Sequence, residues 1–408
     1  MSPLKISWKS IWSKPLSSAL NIMLIAFGTG ILTILLLASK QISDKLENNS
    51  KDIDLVVGAK GSPLQLILSS IYYIDFPTGN IPLKEAQELA KSPFVKKAVP
   101  LALGDNYNGV RIVGTDTNFV GIYKLKVKEG KFWQSDFETT IGSSVAKNLK
   151  LKIGDTFYGA HGLTGSTDIH KTHAYKVVGI LIPQGNVTDN LILTNISSVW
   201  KMHDHDEKKH EHDHDSKDHK EDKAPEIQNK EITSLLIQYR SPMSVVMFPR
   251  MVNESTNMQA ASPAQESTRL FSLIGVGVDT LQWFALLIMF IAAISVFVNL
   301  YNSLKERSYD LAIMRTLGAS RTKLFLIVIA EGIMLTLAGT IIGITLGHLA
   351  LEFIGSNQES SQAQLTGLIL LSDEAYLFAA GLAIGIFAAI IPAAQAYRSN
   401  ISKILSKN

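Results

Sequence analysis

Lys305-Glu306-Arg307-Ser308-Tyr309-Asp310-Leu311-Ala312-Ile313-Met314-Arg315-Thr316-Leu317-Gly318-Ala319-Ser320-Arg321 is a short charged stretch set between two apolar runs, Leu281–Tyr301 and Leu324–Phe353. A helix needs about 20 mostly apolar residues to cross a hydrocarbon core, so each flanking run is long enough to span a membrane and the stretch is the loop between them. Its own pattern is helical. Leu311, Met314 and Arg315 fall on neighbouring faces, and Gly318 stands where a C-cap glycine ends a helix. A rigid helix of mixed apolar and ionic character suits a protein groove; the plainer alternative is an ordinary basic loop.

Outward from this loop, the same scan finds two further runs, Leu16–Ala38 and Ala375–Ala394, for four spans in all. Lys5, Lys9 and Lys14 precede the first run as they would in a signal peptide. The run is longer than a typical signal core, however, and Ala38-Ser39 leads into Lys40-Gln41 with no small-x-small cleavage site, so a retained anchor is expected. Leu4, Trp8, Ile11 and Trp12 share one helical face beside Lys5 and Lys9, a pattern suited to a helix lying in the membrane interface. Glu331 falls inside the third run, where a lipid-facing carboxylate is costly, so it is expected to face protein or the interface in a structural role.

Basic residues orient the spans. Lysines precede the first, Lys305, Arg307, Arg315, Arg321 and Lys323 sit between the second and third, and Arg398, Lys403 and Lys407 follow the fourth; Ser356–Glu374 has neither Lys nor Arg. Both termini and the central loop are therefore expected in the cytoplasm, and the long insert outside. The insert reads as mixed α/β. Leu83–Leu89 has a helix start with Pro82 at its entry, and Val110–Val113, Tyr175–Ile182, Leu191–Thr194 and Ser234–Tyr239 read as strands. The expected fold is an α-helical membrane protein with four transmembrane helices plus a mixed α/β extracytoplasmic domain between helices 1 and 2. Its plan is an interfacial helix over 1–15, the first transmembrane helix over 16–39, the external domain over 40–270 with a low-complexity segment at 203–226, and a domain over 271–408 carrying transmembrane helices 2–4.

Composition agrees with a membrane chain: 46% of residues are hydrophobic and 18% charged, below the quarter or so usual in soluble domains. A formal charge of +3 gives no reason to expect a nucleic-acid partner, and the absence of Cys leaves metal binding to His and carboxylates. Those ligands crowd into one place. His203, His205, His210, His212, His214 and His219 interleave with Asp204, Asp206, Glu207, Glu211, Asp213 and Asp215, a set that can wrap Zn²⁺ as a labile site; the plain alternative is a solvated charged linker. Gly339, Gly343 and Gly347 recur every fourth residue in the third span, so another helix, of this chain or of a second copy, can approach closely there. Asp54–Pro63 lacks the spacing of a phosphate-binding loop and is assigned to the base of the external domain. No catalytic motif is present: the chain has no Gly-x-Ser-x-Gly elbow, His-Glu-x-x-His pair or Walker loop.

The Glu306-Arg307 pair, Asp310, Ala312-Ile313, Arg315 and Leu317-Gly318-Ala319 resemble, in order, the loop after the second span of the MacB/FtsX-type (LolCE-like) ABC permease family. Pro392-Ala393-Ala394-Gln395-Ala396 is similar to that family's closing segment, although Asn400-Ile401 stands where relatives commonly carry an acidic residue and Pro. Lys128–Trp133, Ile141–Leu149, Ile153–Thr156 and Tyr175–Leu181 resemble the MacB-like periplasmic core in the same order. The resemblance implies a multi-pass permease subunit of the inner (cytoplasmic) membrane, with its large domain periplasmic and ATP hydrolysed by a partner rather than by this chain. Glu306, Arg307, Asp310, Arg315, Leu317, Gly318 and Ala319 would couple to a cytoplasmic ABC ATPase dimer. The other implied partners are a second permease copy or paralogue, membrane lipid, and a periplasmic binding or accessory protein. The His-rich segment points to zinc or a zinc-linked envelope substrate. The alternatives are a mechanotransmission exporter or lipoprotein-releasing permease, and an FtsX-like non-transporting regulator of an envelope hydrolase.

Overall fold

A computed structural model describes residues 3–161, 173–202, 230–357 and 365–398. Helices α1 (Pro3–Ser13) and α2 (Pro15–Ser50) lead into an α/β insert. The insert carries α3 (Pro63–Ser70), α4 (Leu83–Ala90), α5 (Thr117–Ile122), α6 (Ser143–Asn148), α7 (196–202) and α8 (Ser244–Ser255). Helices α9 (Pro263–Glu306), α10 (Ser308–Thr316), α11 (Arg321–Ser356) and α12 (Glu374–Arg398) follow. Among the described residues, α2, α9, α11 and α12 are long and apolar enough to cross a membrane. The chain divides into two compact units, one of helices up to Ile42 and from Ile274 onward, the other comprising Ser43–Leu273. The helices outrun the apolar runs: α2 continues past Ala38 to Ser50, and α9 starts at Pro263, well before Leu281. At 1.5 Å per residue these are about 54 and 66 Å long, more than a bilayer core of about 30 Å requires.

In the helical unit, small residues decide which helices touch. A Cβ added to Gly339 would lie 2.7 Å from Ile25 Cβ, one on Gly343 2.6 Å from Ala26 O, and one on Gly347 2.8 Å from Thr33 Cβ, so these three glycines of α11 receive α2 of the same chain. Gly28 of α2 in turn accepts Met289 of α9, and Gly332 of α11 meets Gly385 and Ala389 of α12. Close backbone approach replaces a hydrophobic driving force that lipid does not supply. Over its most apolar stretch α9 is only 22% buried, against 39% for the other three, so it lies outermost in the unit.

The strands of the second unit are β1 (Leu55–Ala59), β2 (Ile81–Pro82), β3 (Val95–Tyr107), β4 (Val110–Thr115), β5 (Val127–Gly130), β6 (Glu138–Ile141), β7 (Thr156–Phe157), β8 (Ala160–His161), β9 (Tyr175–Leu181), β10 (Ile192–Asn195), β11 (Glu231–Ile232), β12 (Ser234–Tyr239) and β13 (Met258–Ala261). The main sheet runs β13-β1-β12-β3-β4-β10-β6-β9-β5, with β7 on β9 and β8 on β3, while β11 and β2 pair separately. It is mixed: β10 lies parallel to β4 and β6 parallel to β9, while the other pairs are antiparallel. Both faces are covered. Val56 packs with Leu101, Val113 and Phe119 on one side, while its neighbours Leu55 and Val57 pack with Leu235, Ile237 and Phe248 on the other. Two-sided burial is why Leu55-Val56-Val57 reads as a continuous apolar run rather than an alternating one. Asp54–Pro63 is thus an inner strand followed by a helix start, where the Ser62 side chain accepts a hydrogen bond from Gln65 N at 3.4 Å and Pro63 opens α3.

Candidate functional site

Three short devices at one end of the helical unit build the site. The first is a helix stop: α10 closes with Gly318 N donating to Arg315 O and Ala319 N to Met314 O, each at 3.0 Å. This double bond needs a left-handed residue after the helix, and Gly318 supplies it with φ +95°. Asp310 in the first turn and Arg315 in the last lie at the ends that the helix dipole favours.

The second device is the division of α10 into two faces. Leu311 and Ala312 are buried, Leu311 packing with Leu324, Ile327, Val328, Ala393 and Ala396. Tyr309, Ile313 and Leu317 recur every fourth residue and stay exposed, Leu317 by 82%. Sequence reading picked out Leu317 but missed Tyr309 and Ile313, although the i, i+4 spacing was there to be read. Arg315 is half-buried, with Nη1 enclosed and without a hydrogen-bond partner among the described residues.

The third device is α1, laid along α11. Ser7 Oγ donates to Ile327 O at 2.8 Å and Ser10 Oγ to Glu331 Oε1 at 2.6 Å. The Arg307 guanidinium donates to Ser10 Oγ and, at 2.6 Å, to Ser13 Oγ, while Lys14 pairs with Glu306. Of the residues expected from sequence to couple to an ATPase, Arg307 therefore bonds to α1, and Glu306 pairs with Lys14 in the link that follows it. The physical reason is that the non-helical Arg307 (φ −95°, ψ 10°) lets α10 turn away from α9 and swings the guanidinium under the end of α1. Buried Glu331 faces protein, as its cost in lipid requires. Between α1, α9, α10 and α11 lies a cavity of about 340 Å³, bordered by Lys5, Lys9, Arg307, Asp310 and Glu331 and otherwise mainly apolar.

A polar knot closes the other end of this unit. Gln41 and Thr366 exchange two bonds, Gln41 Nε2 to Thr366 O at 2.7 Å and Thr366 N to Gln41 Oε1 at 2.9 Å. Glu352 accepts from Thr366 Oγ1 at 2.7 Å and Gly367 N at 2.9 Å, and His348 Nε2 lies 3.2 Å from Glu374 Oε2. None of these was legible as a set in the sequence, because α2, α11, the segment after it and α12 supply one or two members each. The six histidines from His203 to His219 lie outside the described residues. Among those described, no group of three His, Asp or Glu side chains is placed to hold a metal.

Residues 18–245 match the MacB-like periplasmic core domain, and residues 283–401 match the FtsX-like permease C-terminal domain. The chain belongs to the MacB/FtsX-type permease family. Like other such permeases it is a multi-pass membrane protein with a periplasmic-type domain. It is 21% identical over 417 residues to the pyoverdine export ATP-binding/permease protein PvdT of Pseudomonas syringae pv. syringae (strain B728a), covering 97% of this chain and 58% of that one. It is 24% identical over 234 residues to the uncharacterized ABC transporter permease MJ1507 of Methanocaldococcus jannaschii, covering 56% of this chain and 52% of that one. The chain thus spans little more than half the length of these curated relatives. Among solved structures it is similar to the periplasmic region of MacB from Actinobacillus actinomycetemcomitans (TM-score 0.34, 11% identity, 55% of this chain and 97% of that one). It is also similar to the extracellular domain of the transporter YknZ from Gram-positive bacteria (TM-score 0.30, 12% identity, 51% and 98%).

Proposed function

We propose that this MacB/FtsX-type permease is the membrane part of an ATP-driven transporter, with the exposed face of α10 as the seat of a cytoplasmic ABC ATPase dimer. The observation that carries the proposal is the row Tyr309, Ile313 and Leu317: three apolar side chains left in the open on a short helix whose opposite face is packed and whose end is capped. Asp310, Arg315, Gly318 and Ala319 frame that row, Arg307 ties it to α1, and Glu306 ties it to Lys14 in the link between α1 and α2. Nucleotide-driven movement of the ATPase would reach the spans through this tie, and the external domain through α2 and α9. Both termini are cytoplasmic in this reading and a second permease copy or paralogue completes the assembly. Leu317→Asp, tested by co-purifying the ATPase from membranes, is expected to abolish the complex while the permease remains folded; undiminished co-purification would overturn the assignment.

For the substrate we favour zinc or a zinc-linked envelope compound, on the strength of His203, His205, His210, His212, His214 and His219. Deleting residues 203–219 is expected to change cellular zinc content and growth under chelation. No change in either measurement would remove zinc from consideration. The second reading is export of a larger molecule by mechanotransmission; it is favoured by the similarity to PvdT, which runs along 97% of this chain and is named as a pyoverdine export protein. In that reading the His-rich segment is a sensor, and the zinc measurements stay flat while export depends on the ATPase. A non-transporting regulator of an envelope hydrolase would depend on the ATPase without moving either cargo.

A further inference from the structure

The segment that enters α12 is not helical over 365–371 and turns three apolar side chains outward: Leu368 and Leu370 are each 80% exposed and Ile369 43%. Its backbone is supplied with partners by the surrounding side chains. Thr366 exchanges both of its backbone bonds with Gln41 of α2. Gly367 N donates to Glu352 Oε2 at 2.9 Å, and Gly367 O accepts from His348 Nδ1 at 2.5 Å. Leu368 N donates to Thr366 Oγ1 at 3.1 Å, Leu371 N to Glu374 Oε1 at 2.9 Å, and Glu374 N to Leu371 O at 3.2 Å. No Cβ fits on Gly367 against the His348 carbonyl, so the segment is held hard against α11. Irregular backbone persists at membrane depth only where protein groups take up its N–H and C=O groups, whereas a loop in water can leave them to the solvent.

The depth agrees with this. Gly367 bonds to His348 and Glu352, and the rise along α11 from Arg321 to His348 is about 40 Å at 1.5 Å per residue. A bilayer has about 30 Å of hydrocarbon and about 40–45 Å with its headgroups, so the segment falls near the boundary between the two at the end of the spans away from α10. Phe353 in the last turns of α11 and Tyr376 in the first turn of α12 are exposed as well, which continues the apolar surface of two membrane-crossing helices into Leu368 and Leu370. Ser372 and Asp373, both exposed, then end the apolar stretch.

We infer that Leu368, Ile369 and Leu370 form a wedge that enters the lipid leaflet just beneath its headgroups, held at that depth by Gln41, His348, Glu352 and Glu374. Lipid acyl chains are its occupant because the wedge continues lipid-facing helix surface and because the side chains around it are committed to its backbone, the provision that hydrocarbon requires and water does not. Through Gln41 the wedge also fixes the end of α2 at the depth of α11 and α12, so these three spans share one anchor in the leaflet.

The absence of cysteine allows an environment-sensitive fluorophore to be attached at one chosen position of the full chain in lipid nanodiscs, where both membrane faces are open to solutes. On Leu368→Cys or Leu370→Cys the label is expected to emit at the short wavelengths of an apolar setting and to resist aqueous iodide. It should lose more emission to lipids carrying a doxyl group near the headgroup than to lipids carrying it near the chain end. Ser320→Cys, exposed in the charged loop, is the water reference and should be quenched by iodide; Phe290→Cys, exposed on α9, is the lipid reference and should respond to doxyl near the chain end. Adding Glu352→Ala to Leu368→Cys removes the acceptor of Thr366 and Gly367, and should shift the emission to the red and admit iodide, with circular dichroism reporting that the helices persist. Iodide quenching of Leu368→Cys to the level of Ser320→Cys would place the segment in water, and quenching by neither agent would place it under a second copy or a partner protein; either result overturns the inference. An unmoved signal in a folded Glu352→Ala protein would overturn the holding role given to that carboxylate.

Discussion

At the scale of single residues, α11 shows how a missing side chain directs assembly. Gly343 faces Thr29 Oγ1 and the Ala26 carbonyl, with no room for a Cβ. Gly343→Val is therefore expected to lower the thermal unfolding temperature of the detergent-solubilised chain, reflecting at least the ~1–3 kcal/mol typical of overpacking. Thr29→Ala should rescue only part of the loss, because the Ala26 carbonyl stays 2.6 Å from the new Cβ; full rescue in the double variant would contradict this packing. The glycine row was legible in the sequence. Its choice of α2 was not, since any helix, or a second copy of the chain, can approach a smooth face.

At the scale of elements, local chemistry was well written. Tyr107-Asn108-Gly109-Val110 makes the two-residue turn between β3 and β4, with φ +49° at Asn108 and +78° at Gly109, the left-handed pair that joins strands of natural twist. The strands at Val110–Thr115, Tyr175–Leu181, Ile192–Asn195 and Ser234–Tyr239 lie within a residue or two of their expected positions, because turn residues bound each apolar run. Element ends were less legible in the long helices. The polar stretch Ser39–Ser50 carries no apolar signal, yet it continues α2 as helix; hydropathy reports where lipid ends, not where hydrogen-bonded turns end. β3, running from Val95 to Tyr107, went unread because Lys96, Lys97, Pro100 and Gly104 interrupt its apolar pattern. Its pairing with β12 and β4 overrides that weak local preference.

At the scale of the whole molecule, the distribution of Lys and Arg predicts which ends of the spans face the cytoplasm. The chain has no cysteine, so single cysteines can be placed cleanly. Ser241→Cys in the external domain is expected to react with a membrane-impermeant maleimide once the outer barrier is opened, whereas Ser320→Cys before α11 should react only after the inner membrane is breached. The reverse pattern would invert the topology. By itself the sequence determined the number of spans, the position of the α/β insert and the helical stop at Gly318, because apolar run length, composition and a left-handed glycine act within a few residues of themselves. Only tertiary structure decided that Arg307 turns inward to α1, that Ser10 meets Glu331 across 321 positions of chain, and that Tyr309, Ile313 and Leu317 are the side chains left outside. Those outcomes depend on which helix faces fill one another's grooves, a choice made between segments far apart in the chain and spelled out in neither.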